Sequence, residues 1–77
     1  MLETAYFLIT LARHTPVEVA RAVRRVPGIT EAVVTMGDVD IIAVGQMDGT
    51  KGFPGLTDQL QRIDGVAKVA ICVVVRP

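Results

Sequence analysis

The sequence predicts an α+β sandwich of element order βαββαβ, in which four antiparallel strands carry two helices on one face. Three observations predict it. Apolar runs with strand character and runs of helical period follow one another in that order. The chain also repeats itself, since Arg24-Arg25-Val26-Pro27-Gly28-Ile29 parallels Gln61-Arg62-Ile63-Asp64-Gly65-Val66. Each copy is a helix end, a turn glycine and the start of an aliphatic strand. Finally, the strands are apolar on both faces, which a sheet covered on one side does not require.

The first strand covers Ala5 to Leu11, a β-branched and aromatic run without a breaker. Arg13 and His14 follow, and Thr15-Pro16-Val17-Glu18 opens a helix. Thr15 is the cap, Pro16 suits the first helical position and Glu18 completes a capping box. This helix is predicted to run to Val26, with Val19, Ala20, Val23 and Val26 on one face and Glu18, Arg21, Arg24 and Arg25 on the other. Val17 falls on the charged side. Pro27-Gly28 ends the helix. Ile29 to Met36 is the second strand and Val39 to Met47 the third. Gly37-Asp38 joins them as a tight turn, with Gly37 supplying a positive φ. Asp48 to Gly55 is a loop with three glycines, and the glycine-rich stretch from Gly45 reads as a flexible crossover. A second helix covers Phe53 to Ile63, placing Phe53, Leu56, Leu60 and Ile63 together. Val66 to Val75 is the last strand. Two βαβ halves with right-handed crossovers make a ferredoxin-like sandwich.

The 77 residues form one domain, 1–77. They are 51% hydrophobic and 4% aromatic. A chain this short buries only about 60% of its unfolded surface, so this apolar content implies a face that another molecule covers. Phe7, Ile9 and Leu11 alternate with Tyr6 and Leu8. Ile41 and Ala43 alternate with Ile42 and Val44, and Val69, Ile71 and Val73 with Ala70, Cys72 and Val74. The helices cover one face only. The other exceeds the few hundred Å2 usual on a monomer, and a face-to-face homodimer is the economical cover.

Composition narrows the functions. Eight basic and eight acidic residues cancel, leaving no field that steers the chain onto nucleic acid. The stretch Arg13, His14, Arg21, Arg24, Arg25 has no interleaved aromatics and reads as a solvated face. No apolar run spans a membrane, and the first residues lack a basic leader, so a cytoplasmic chain is expected. The single cysteine, Cys72, fits a reducing compartment and reads as an inert buried thiol. There is no Ser, no Asn and one His, which removes a Ser-His-Asp triad and a multi-His metal site. Asp38 and Asp40 miss the calcium-loop pattern at Ile42, and Lys51-Gly52 misses the phosphate-loop ending. The expectation is no catalytic residue, no metal and no cofactor.

The hairpin Thr35-Met36-Gly37-Asp38-Val39-Asp40-Ile41-Ile42, preceded by Val26-Pro27-Gly28-Ile29-Thr30-Glu31-Ala32, resembles the C-terminal effector domain, or RAM domain, of the Lrp/AsnC transcriptional regulators. Ile63-Asp64-Gly65-Val66 fits the family's second turn. The match runs from Ala5 to Val75. The resemblance implies a stand-alone effector domain, because the helix-turn-helix domain of such regulators would precede residue 1. It implies dimers packed sheet to sheet, assembled into octamers or similar rings. It implies a small effector, an amino acid, bound between dimers near the hairpin, which nominates Met36, Gly37, Asp38 and Asp40. A turn exposes N–H groups for a carboxylate, and either aspartate can pair with an amino group. The plainer alternative is that Gly37-Asp38 only turns the chain and Asp40 is a satisfied polar group. The family's last strand often carries Thr or Ser near the effector, where this chain has Val69-Ala70-Ile71-Cys72. That implies a more apolar effector, or assembly alone.

The expected function is a non-catalytic effector-binding and oligomerisation module acting on transcription or amino-acid metabolism. Two alternatives share the topology. Small dimeric α/β-barrel enzymes place polar groups between sheet and helices, and Tyr6, His14 and Asp40 are the candidates. ACT-like regulatory domains pair their sheets side by side.

Overall fold

The computed structural model describes residues 1–13 and 15–77. His14, expected as a surface or capping imidazole, lies outside the described residues. The elements are β1 (Leu2–Leu11), α1 (Pro16–Arg24), β2 (Ile29–Val34), β3 (Ile41–Asp48), α2 (Phe53–Gln61) and β4 (Val66–Val73). The sheet order is β2-β3-β1-β4 and every pairing is antiparallel. This is the ferredoxin-like βαββαβ sandwich that the repeat predicts. The repeat is visible in the hydrogen bonds as well. After α1, Val26 N–H donates to Val23 O and Ile29 N–H to Val26 O; after α2, Ile63 N–H donates to Leu60 O and Val66 N–H to Ile63 O. Gly28 and Gly65 have φ of 101° and 94°, the left-handed conformation that glycine tolerates.

The core lies between the helices and one sheet face. Ala5, Phe7 and Ile9 of β1 and Ile41 and Ala43 of β3 are fully buried, against Val19 and Val23 of α1 and Phe53, Leu56 and Leu60 of α2. The Phe7 and Phe53 rings meet edge to face, 6.3 Å between centroids and 65° between planes. Gly45 lies opposite Ala5 in the ladder. A Cβ there would come within 2.8 Å of Phe7 Cε2 and 3.1 Å of Leu56 Cδ2. Gly45 is thus a packing residue inside β3, and the glycine-rich crossover is shorter than the composition suggests. Met47 fills the same corner, so close to Gly52 that a Cβ there would overlap its methyl carbon.

Four local expectations are corrected. Thr15 caps α1 through its backbone: Glu18 N–H and Val19 N–H donate to Thr15 O, and its side chain makes no cap bond, so the capping box does not form. Gly37 does not have a positive φ. The hairpin is not a two-residue turn either, because Thr35 N–H donates to Asp40 O at 2.9 Å and four residues lie between. Cys72 is exposed, since parity puts it on the face away from the helices. No helix among the described residues is long and apolar enough to cross a membrane.

Candidate functional site

Two regions stand out, the 35–40 hairpin and the uncovered sheet face. The hairpin is built on β1. Asp40 N–H donates to Ile9 O at 2.9 Å, and Asp40 Oδ2 accepts from Leu11 N–H at 2.7 Å. The carboxylate therefore ties the start of β3 to the end of β1, beyond the last ladder pair, Ile9 with Ile41. On the other side, Thr35 Oγ1 donates to Val39 O at 2.8 Å. These bonds fix both ends of the loop and leave its tip free. Met36, Gly37 and Asp38 are exposed, Met36 completely. Among the described residues their N–H groups meet no acceptor, and nothing lies within 4 Å of a Cβ built on Gly37.

Of the four nominated residues, the structure gives Asp40 a definite task as the anchor of the loop. It sets Met36, Gly37 and Asp38 at the tip, next to one another but not around a cavity. Thr35 and the Leu11 amide complete the anchor. Neither is legible as functional in the sequence, although a Thr at the end of a strand before Gly-Asp is a usable signal for a side chain closing a turn. Removing the acceptor leaves the half-buried Leu11 N–H without a partner, which costs about 1–3 kcal/mol. Asp40→Ala is expected to lower stability by that amount in a urea titration, while Asp38→Ala stays within about 0.5 kcal/mol.

The uncovered face is read from the register. One row across the sheet is Val33, Ile42, Leu8, Ala70, and the next is Glu31, Val44, Tyr6, Cys72. Apolar side chains fill the centre, with Tyr6 45% and Val33 42% exposed. Thr4, Thr10, Gln46, Glu31 and Lys68 stand around them. An apolar centre within a polar border is the composition of a protein interface. A smaller apolar area lies on the helix side, where Ile71 and Val73 stay exposed beside the first turn of α2. Val17 is also exposed.

Of the polar groups that an enzyme of this topology would use, Tyr6 points to the uncovered face, Asp40 is bound to Leu11, and His14 is outside the described residues. Among the described residues the core holds no buried polar or charged side chain.

The βαββαβ topology places the chain in the ferredoxin-like class. Residues 4–77 match the model of the Lrp/AsnC ligand-binding domain, and the chain belongs to that family. No curated protein matches the chain by sequence. Among solved structures, TTHA0845 from Thermus thermophilus superimposes with a TM-score of 0.88 at 18% identity, covering 97% of this chain and 95% of that one. The hypothetical protein PHS023 of Pyrococcus horikoshii gives 0.83 at 22%, covering 100% and 93%. The transcriptional regulator NMB0573 of Neisseria meningitidis, solved as a complex with L-Met, gives 0.80 at 17%, covering 96% of this chain and 50% of that one. At these identities the likeness shows the fold.

Proposed function

We propose that this chain is a non-catalytic regulatory module that binds an amino acid and self-associates through its uncovered sheet face. Membership in the Lrp/AsnC ligand-binding family over residues 4–77 carries the reading. The hairpin supports it physically. Free N–H groups at Met36, Gly37 and Asp38 suit a carboxylate, and the Asp38 carboxylate suits an ammonium. Asp40 acts by holding that loop in place. One chain supplies only one wall of such a site, so the effector sits where the hairpin meets a neighbouring dimer. The L-Met of the Neisseria regulator supports an amino acid as the ligand class. The aliphatic stretch Val69-Ala70-Ile71-Cys72 favours an apolar side chain. The module works in the cytoplasm, on transcription or amino-acid metabolism, without touching nucleic acid itself.

A thermal-shift panel of the twenty amino acids tests the ligand. Saturation at a hundredfold above Kd adds about 2.7 kcal/mol, which in a domain this small raises Tm by roughly 10–20 °C. At least one apolar amino acid is expected to do so, and Asp38→Ala to abolish it. A flat panel sinks the ligand half of the proposal.

A further inference from the structure

We infer that the outward face of α1 is a docking surface for an acidic helical segment of a partner protein. The helical period sets that face. Val19, Ala20 and Val23 are buried against the sheet, so Val17, Arg21, Arg24 and Arg25, at i, i+4, i+7 and i+8, make one exposed stripe on the other side. The stripe is about 12 Å long, two turns of a facing helix. Among the described residues none of its arginines forms an ion pair. Arg62 at the end of α2 gives the contrast, because Asp58, one turn before it, holds it at 2.9 Å. On α1 the corresponding carboxylate is Glu18, and no bond joins it to Arg21. The helix dipole favours cations in the last turn. Arg21 and Arg25 nonetheless stand one turn apart and repel each other, with no carboxylate of the chain bonded to either.

The residue type points to the partner. Every cation of the stripe is arginine, while both lysines of the chain, Lys51 and Lys68, lie elsewhere. Arginine is the more weakly hydrated of the two, binds a carboxylate through two parallel N–H donors, and is the cation enriched where proteins meet. Val17, 48% exposed, adds an apolar contact in line with the arginines. Beside the stripe, between α1 and the chain leaving α2, runs a groove of about 330 Å3 lined by Glu18, Val19, Ala22, Ile63 and Asp64. Its apolar floor takes one side chain of the partner, and its two carboxylates turn acidic groups back onto the arginines. The fitting segment therefore carries carboxylates one turn apart along one edge and apolar residues along the next. Nucleic acid fits less well. A duplex is held through many phosphates, and three arginines beside Glu18, without an aromatic among them and on a chain of zero net charge, reach few. The helices lie across the sheet from the uncovered face, so a sheet-face dimer presents two such stripes, both open. One stripe falls below the area of a stable complex, so the association is transient and sensitive to salt.

Fluorescence anisotropy of a labelled model peptide tests this docking. The probe is an alanine-based helix with glutamates at i, i+4 and i+8 and leucines at i+1 and i+5, and its control has the same composition in scrambled order. The wild-type chain is expected to bind the probe about tenfold more tightly than the control. Arg21→Gln combined with Arg25→Gln is expected to weaken binding about tenfold, and Val17→Asp several-fold. Arg62→Gln removes the same charge from the neighbouring helix and leaves binding unchanged. Circular dichroism and the mass by light scattering stay those of the wild type in every variant, because these side chains are exposed and lie away from the sheet face. Equal binding of the two peptides, stripe variants that bind like the wild type, or an equal loss in Arg62→Gln overturns the assignment. So does tighter binding of a labelled DNA duplex at the same salt, lost in the same variants, which makes the stripe a phosphate site. A flat amino-acid panel or a monomeric chain overturns the proposed function and leaves the stripe standing, since neither measurement reads α1.

Discussion

Leu8→Glu is expected to convert the proposed sheet-face dimer into a folded monomer. Leu8 sits in the middle of the row Val33, Ile42, Leu8, Ala70, on the face that carries no helix. Its side chain contributes nothing to the core, which uses Ala5, Phe7 and Ile9 of the same strand. A carboxylate there is tolerated in one chain, because water reaches it. In a dimer it is buried against apolar side chains with no partner, and a two-fold axis introduces it twice. Central interface positions cost about 2 kcal/mol or more when altered, which is about a thirtyfold rise in Kd. The expected result is a fall in mass by light scattering with the far-ultraviolet circular dichroism unchanged. Thr10→Glu, at the border of the same face, is expected to change the mass little. If Leu8→Glu keeps the wild-type mass, the sheet face is not the interface.

Phe7→Ala is expected to cost about 3–5 kcal/mol. The ring is fully buried and meets Phe53 edge to face. A domain of this size has about 4–12 kcal/mol in all, so the variant is at or near the limit of folding, and a urea titration reads the loss. Gly45 gives the same site a second test. Gly45→Ala drives a methyl against the Phe7 ring edge and costs about 1–3 kcal/mol as overpacking. In the Phe7→Ala background that obstacle is gone, so the two losses are expected to sum to more than the double variant shows. Additive losses would mean that Gly45 matters for a reason other than the ring.

The architecture was legible because it is written in periodicity. The twin segments ending at Gly28 and Gly65 fold alike, with the same turn bonds into each strand. Parity placed Tyr6, Leu8, Ile42 and Val44 on one face correctly. It grouped Cys72 with them, yet the expectation of a buried thiol overlooked that this face has no helix above it. β1 begins at Leu2, three residues earlier than its apolar run, because Leu2 and Glu3 pair with Asp48 and Met47. Polar side chains concealed that extension.

The candidate site was legible only in part. Gly37-Asp38 marks a turn, but its width is set by Thr35 closing on Asp40 and by the bond from Leu11 to the Asp40 carboxylate. Residues 11 and 40 are distant in sequence, and no local pattern joins them. The apolar area beside β4 is hidden for a similar reason. It exists because the first turn of α2, at Phe53, Pro54 and Thr57, leaves Ile71 and Val73 partly bare, and that depends on how helix and strand lie together.

The apolar sheet face is proposed as the interface between copies of this chain. Light scattering of the unmodified protein across a dilution series tests it most directly. The prediction is a mass of at least twice the 8.2 kDa chain at micromolar concentration, and a mass of one chain at every concentration would contradict it.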